Sequence, residues 1–482
     1  MALVLFGCGT LAGQKQELPA TPAGKLLGRF LHAVETGEIE PFVNTAFDEA
    51  VLQRIPAEEH MRFLRMMHRM HGGFTVYEVV RSEPHRIEVV CQSKRRKVWR
   101  RFLLECGDTS PPKITGIGIE DSPPPEAYLQ SLPKITIERP ANDDAIVRGA
   151  RAQKIDAYLT RLESVGYSGG VLIADSTGVI LAKGYGYADR EERRVFNRRT
   201  VFTIGSITKS FTGAAAVKLA SLGKISFDDP ITQYFQDVPP DKQGITLHHL
   251  LTHTAGFPGA IGDDFERIPR DAFIARAMQT QLISPPGAQY HYSNVGYSLM
   301  AAIIELVSGE SYERFLREHV LLPAGMERTG YVLPAWDEAV IVVGYAGQER
   351  WGKPTELMWG EDGPGWHLQG NGGLLSTLDD LYRWGRAILG EDVFTAVEKE
   401  TYLTPYVPEG PQAESDYAYG WVRMKSSRGT EVITHNGGNP YIQNDLYLYP
   451  QEGVIVYLTS NNGAFSAIDF SGRVLQMLFA EK

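Results

Sequence analysis

One segment limits how this chain folds more than any other: Gly205-Ser206-Ile207-Thr208-Lys209-Ser210, followed by the apolar run 211–222. Capping-type residues open it, and Ala214, Ala215, Ala216, Val217, Leu219 and Ala220 are helix formers suited to burial. Gly223 stops it. Ser206 and Lys209 are three apart, so a helix presents them on one face, a single turn from each other. A serine hydroxyl is a weak nucleophile until a neighbour takes its proton. Lysine can take it only when neutral. Burial and the positive pole of a helix N-terminus both disfavour its charged form. Free N–H groups in the first turn also suit a negative oxygen. Ser-x-x-Lys occurs four times, at Ser110/Lys113, Ser131/Lys134, Ser206/Lys209 and Ser221/Lys224. The first two contain an interior proline, and the fourth has Gly223 between its members. Only Ser206/Lys209 has a helical context; the plain alternative there is a helix start with a solvated lysine.

The rest of the chain narrows the class of protein. At 482 residues it can hold two or three domains and a large core. Its net charge of −10 argues against a general nucleic-acid binder. No apolar run is long enough to span a membrane. Cys8, Cys91 and Cys106 are too few for a disulfide framework. Residues 1–11 are apolar and end near Cys8, like the tail of a bacterial lipoprotein signal without its basic start. An extracytoplasmic location is the expectation, with Cys8 as a candidate lipid anchor.

Four segments follow from the pattern. Residues 1–21 are the apolar N-terminal piece. Residues 22–121 read as a small α+β domain, with helices over 26–36 and 57–70 and strands over 74–80, 86–91, 98–104 and 113–119. That order resembles the NTF2-like domain. Its basic stretch 94–101, which holds Trp99, reads as a charged turn entering a strand. Residues 122–145 form a proline-rich linker. The main domain is 146–482. A helix over 150–165 precedes a hairpin over 168–186, the region 245–390 is largely helical, and strands return at 431–435, 441–449 and 454–460 before a last helix. Strands at both ends with helices between imply an antiparallel sheet flanked by helices, an α/β fold with an inserted helical lobe.

Two further motifs carry chemistry. Tyr292-Ser293-Asn294 follows the turn signal Pro285-Pro286-Gly287. Residues two apart on extended backbone face the same way, so Tyr292 and Asn294 aim at one space. A phenol can shuttle protons if neighbouring cations lower its pKa; alternatively it is a buried tyrosine with a satisfied hydroxyl. His435-Asn436-Gly437-Gly438 ends a strand. Its glycines leave room for substrate against the strand edge, and the Gly438 N–H is a candidate oxyanion donor beside that of Ser206. The alternative is a hairpin entrance.

Ser-x-x-Lys, Tyr-x-Asn and a basic-x-Gly strand, in that order, resemble the serine β-lactamase and penicillin-binding-protein superfamily, in its class C β-lactamase, D-alanyl-D-alanine peptidase and family VIII esterase types. The flanks Leu250-Leu251-Thr252-His253-Thr254-Ala255-Gly256, 323–326 and Gly372-Gly373-Leu374-Leu375-Ser376-Thr377 extend the likeness over roughly residues 150 to 480. By motif position, the resemblance implies Ser206 as nucleophile, Lys209 as base and Tyr292 as proton relay. Asn294 would bind a substrate amide or hold Lys209. His435 and Gly437 would line the substrate, with Ser206 and Gly438 as oxyanion donors. His435 stands where the family most often has lysine. With a reference pKa of roughly 6.5 it is mostly neutral at pH 7, which tilts the expectation from carboxylate-bearing β-lactams toward esters and peptides. No cofactor or metal is expected, and a small molecule or short peptide is the implied partner. A non-catalytic penicillin-binding sensor is the competing reading.

Three other features were weighed. Gly166-Tyr167-Ser168-Gly169-Gly170 fits Gly-x-Ser-x-Gly, but a helix precedes it and a strand follows, the reverse of a nucleophile elbow. His253 reads as part of a hydrogen-bonded turn. Trp359 and Trp366 are candidates to wall a pocket or simply to pack.

Overall fold

The computed structural model describes residues 15–95, 98–140, 144–360, 362–411 and 413–480. Cys8 and most of the 1–21 segment lie outside these residues. Among those described, no helix is long and apolar enough to cross a membrane. The chain divides into two compact units: one runs through Thr136 and includes Arg161–Gly166 and Gly463 onward, and the other comprises Ile137–Thr160 and Tyr167–Asn462.

The first unit opens with helix Pro22–Thr36. Thr21 caps it by accepting from the Gly24 N–H at 3.1 Å, and Gly37 ends it in the left-handed conformation. Its buried face, including Leu26, Leu27, Phe30 and Val34, meets an antiparallel meander of Phe74–Ser82, Arg86–Ser93, Trp99–Cys106 and Ile114–Asp121. Phe30 and Phe74 both pack edge-on against Phe102. Helices Ile39–Ala46 and Glu49–Arg54 were not read from the sequence. The proline-rich stretch also contains a helix, Glu126–Ser131, because proline is tolerated where a helix starts. Tyr128 on that helix packs on Trp99 at 4.7 Å and on Tyr77 at 5.1 Å. Trp99 is thereby buried, which removes it from any exposed basic patch.

The second unit is built on a nine-stranded sheet, antiparallel throughout. Its order is Val407–Pro408, Ser415–Tyr417, Val422–Lys425, Glu431–Gly438, Gln443–Tyr449, Val454–Ser460, Gly169–Asp175, Gly178–Tyr185 and Ile146–Val147. Early and late strands meet where Val454–Ser460 pairs with Gly169–Asp175, as the pattern of strands at both ends implied. Between them lie helices including Thr208–Ser221, Asn294–Ser308 and Leu378–Leu389. One continuous apolar core joins this lobe to the sheet.

Thr208–Ser221 is buried on nearly every side, from Thr208 through Val217. A helix without a polar face belongs in an interior. Its polar residues are therefore satisfied locally. The Trp384 indole N–H donates to Ser210 Oγ at 3.1 Å, and the Trp384 ring stacks on Phe211 at 4.2 Å. Truncating Trp384 removes a large buried ring and this hydrogen bond together. Trp384→Ala is expected to cost about 3–5 kcal/mol in chemical denaturation. A loss below about 1 kcal/mol would contradict the packing described.

Candidate active site

The Ser206 turn is shaped by two close backbone approaches. Ser206 lies in a 3₁₀ turn, Gly205–Ile207, that runs directly into helix Thr208–Ser221. Gly205 has φ of 53°, and a Cβ there would lie 2.1 Å from the Gly438 nitrogen. A Cβ on Gly437 would lie 2.5 Å from the Ser206 nitrogen and 2.4 Å from the Ile204 oxygen. Strand Glu431–Gly438 pairs with Val422–Lys425 only through Thr434, and the turn packs against its later part. The missing side chain of Gly437 thus admits the Ser206 turn. The same approach makes the Ser206 and Gly438 amides neighbours. Buried Asn444 locks it, donating to Thr203 O at 3.0 Å and to Gly437 O at 3.1 Å while accepting from Tyr457 Oη at 2.7 Å.

Lys209 is fully buried. Its Nζ is 2.8 Å from Asn294 Oδ1, 2.8 Å from the Asn371 carbonyl oxygen and 3.1 Å from Ser206 Oγ. Burial pushes its pKa well down, with the charge of Asp264 opposing weakly. A neutral amine has two N–H donors and one lone pair. Two of its three neighbours are carbonyl oxygens, which only accept, so they take both N–H groups. The lone pair is left for the Ser206 hydroxyl. Asn294, the first residue of helix Asn294–Ser308, thus holds Lys209. Asn371 is fixed in turn by donating to Ser298 Oγ at 2.8 Å and to His367 O at 2.7 Å. It was missed in the sequence because a backbone carbonyl has no residue signature.

Tyr292 sits on an extended loop leading into that helix. Its hydroxyl hydrogen-bonds Ser206, and its ring centroid is 4.7 Å from Lys209 Nζ. The loop is held by His253. The His253 carbonyl accepts from the His291 N–H at 2.8 Å, and its Nδ1 accepts from the Ser293 N–H at 3.0 Å. The imidazole lies 4.3 Å from the Tyr292 ring, and the backbone at His253 has φ of 60°. Reading His253 as part of a turn therefore agrees with its place. The expected cation-lowered phenol does not. Desolvation raises the Tyr292 pKa and the charge of Glu409 adds to it, while the Ser206 bond opposes. No neighbouring cation is among the causes of the shift. Tyr292 rests as a phenol.

His435 is also not a free cation. It is 3% exposed. Its Nε2 accepts from Tyr417 Oη at 3.0 Å, and its Nδ1–H donates to the Asn436 carbonyl at 2.5 Å. Burial is the main cause that lowers its pKa to about 3. Beyond His435 opens a cleft of about 640 Å³, lined in part by Tyr290, Tyr292, Glu409, Asn436, Asp445 and Tyr447. Trp359 and Trp366 are not among its lining residues; Trp359 is buried against Tyr331 instead. Ser168 is buried, and in chain order helix Gly149–Glu163 precedes it and strand Gly169–Asp175 follows, so it is no elbow nucleophile.

The His435 environment has a measurable consequence. Unfolded histidine takes a proton near 6.5, and the folded ring only near about 3. Between these values the unfolded state binds the extra proton. The stability His435 contributes is therefore present above 6.5 and is lost as pH falls through that window. The His435 ring nitrogens should keep the shifts of a neutral, Nδ1-protonated imidazole from roughly pH 8 to 5 in ¹⁵N NMR. An inflection near the ordinary histidine value would contradict the hydrogen-bond assignment.

Comparison with known proteins gives the family. The Beta-lactamase family profile matches residues 152–476. Penicillin-binding protein 4* of Bacillus subtilis is 27% identical over 61% of this chain and 68% of its own length. Two further relatives are matched over only 62% and 63% of theirs. A penicillin binding protein from Bacillus halodurans superposes with a TM-score of 0.56 at 25% identity, covering 68% of this chain and all of that one (100%). A D-amino acid amidase from Ochrobactrum anthropi shares the fold, with a TM-score of 0.58 at 20% identity over 68% of this chain and 98% of that one. The chain belongs to the Beta-lactamase family.

Proposed function

We propose that the protein is a serine hydrolase that works through an acyl-enzyme on an ester or amide. The observation that carries this is the polarity of the Lys209 network. Buried Nζ lies 2.8 Å from both the Asn294 and Asn371 oxygens and 3.1 Å from Ser206 Oγ; a neutral amine that donates to the two carbonyl oxygens turns its lone pair to the Ser206 hydroxyl. Ser206 passes its proton to Lys209 as Oγ bonds to the scissile carbonyl carbon. The developing oxyanion is met by the Ser206 and Gly438 N–H groups, each worth about 3 kcal/mol in comparable sites. As the carbon–leaving-group bond breaks, the Tyr292 phenol gives its proton to the departing nitrogen or oxygen. The Lys209 ammonium restores it. Deacylation reverses the route: water loses a proton through Tyr292 to Lys209 and attacks the ester carbon, and Ser206 Oγ leaves with that proton.

Esters and amides are favoured over β-lactams because His435 supplies no positive charge for a substrate carboxylate. The names of the similar proteins, penicillin-binding proteins and a D-amino acid amidase, fit acyl transfer at a serine.

The test uses a fluorescent fluorophosphonate, p-nitrophenyl esters, D-amino-acid amides and nitrocefin. Wild type is expected to be labelled and to turn over an ester or amide faster than nitrocefin. Ser206→Ala should remove label and turnover, and Lys209→Ala should lower turnover by about 10⁴-fold or more. Equal turnover of nitrocefin and short esters would defeat the substrate preference. Labelling of Ser206 without any turnover would favour a penicillin-binding sensor.

A further inference from the structure

The cleft lined by Tyr292 and His435 is polarised in one direction. Glu409 lies in its wall. Its Oε1 accepts from Tyr290 Oη at 3.1 Å and its Oε2 accepts from Ser415 Oγ at 2.6 Å. Both donors are neutral hydroxyls, and each carboxylate oxygen keeps a second lone-pair direction. Among the described residues, no lysine or arginine pairs with Glu409. A second carboxylate, Asp445, lines the same wall, and Tyr447 Oη donates to its Oδ2 at 2.7 Å.

Among the described residues, the basic groups around the cleft do not pair with Glu409. His435 lines the cleft as a neutral ring, and Lys209 behind it is a desolvated amine. Strand Val422–Lys425 contributes Val422 and Met424 to the cleft, while Arg423 between them pairs with Glu431 at 2.9 Å. The remaining walls include the rings of Tyr290, Tyr292 and Tyr447, whose faces attract cations. Tyr292 ties the cleft to the reaction centre, since its hydroxyl contacts Ser206.

We propose that this cleft selects acyl donors that carry a protonated amine, with Glu409 as the residue that reads it. The inference rests on the serine hydrolase reading above and names its substrate class. Selection works in both directions. An ammonium gains the uncompensated carboxylate and the ring faces, whereas a carboxylate-bearing acyl group meets like charge. Glu409 acts on specificity and transfers no proton in the bond-breaking steps.

The experiment compares D-phenylalanine p-nitroanilide with its N-acetyl derivative, which replaces the ammonium by an uncharged amide. The ratio of their kcat/KM values is measured for wild type, Glu409→Gln and Ser415→Ala. Wild type should favour the free amine by at least about tenfold, largely through KM. Glu409→Gln should collapse that ratio toward one. Ser415→Ala keeps the charge and removes only a hydroxyl, so the ratio should persist. High salt should narrow the wild-type ratio. Equal use of both substrates by wild type would overturn the proposal, as would an unchanged ratio in Glu409→Gln. The same ratio loss in Ser415→Ala would reduce Glu409 to a packing role and also overturn it. Absence of any Ser206-dependent turnover instead refutes the hydrolase reading, so the two failures are distinct.

Discussion

The site depends on one side chain being held without its usual charge. Lys209 is buried in the centre of the lobe, where an ammonium would lack water and a counter-ion in contact. Two carbonyl oxygens, one from Asn294 and one from the Asn371 backbone, fit an amine that donates twice. In the neutral form the remaining lone pair of Lys209 faces Ser206 Oγ, 3.1 Å away. An interior lysine of this kind is costly to build. It is found where the surroundings are over-determined, here by Ser298, His367 and the start of helix Asn294–Ser308.

The larger architecture serves that arrangement. The sheet brings Glu431–Gly438 to the Ser206 turn, and the approach is close enough that neither Gly205 nor Gly437 can carry a Cβ. The helical lobe brings Asn294 and the Asn371 carbonyl from the other side. Asn444 and Tyr457 tie the turn to the strands, and His253 ties the Tyr292 loop to the lobe. Nucleophile, amine, phenol and oxyanion amides thus come from separate elements, each anchored by hydrogen bonds of its own.

Much of this was legible in the sequence, for a physical reason. Ser206, Lys209, Tyr292, Asn294 and the glycines at 437 and 438 are residue types whose chemistry or small size is visible at short spacing. The fold class followed from where strands and helices fall. What stayed hidden depends on distant partners. The Asn371 contribution is a carbonyl that any residue could supply, and Asn444 bridges segments far apart in sequence. His435 was recognisable as an odd residue, but the Tyr417 hydroxyl that fixes its tautomer was not. Glu409 reached the cleft through pairing of Val407–Pro408 with Ser415–Tyr417 at the sheet's edge, beyond the range of any local pattern. The sequence leaves the phenol's pKa conditional on neighbouring cations, and the burial that raises it comes from packing.

The central claim is the uncharged state of Lys209, and lysine-selective ¹³C NMR of the ε-carbon tests it most directly. With Lys209→Arg used to assign the signal, the resting protein should show Lys209 at the free-amine position at the pH where Ser206 is acylated. A shift typical of a charged ammonium at that pH would contradict the account, because the amine would then have no lone pair to receive the serine proton.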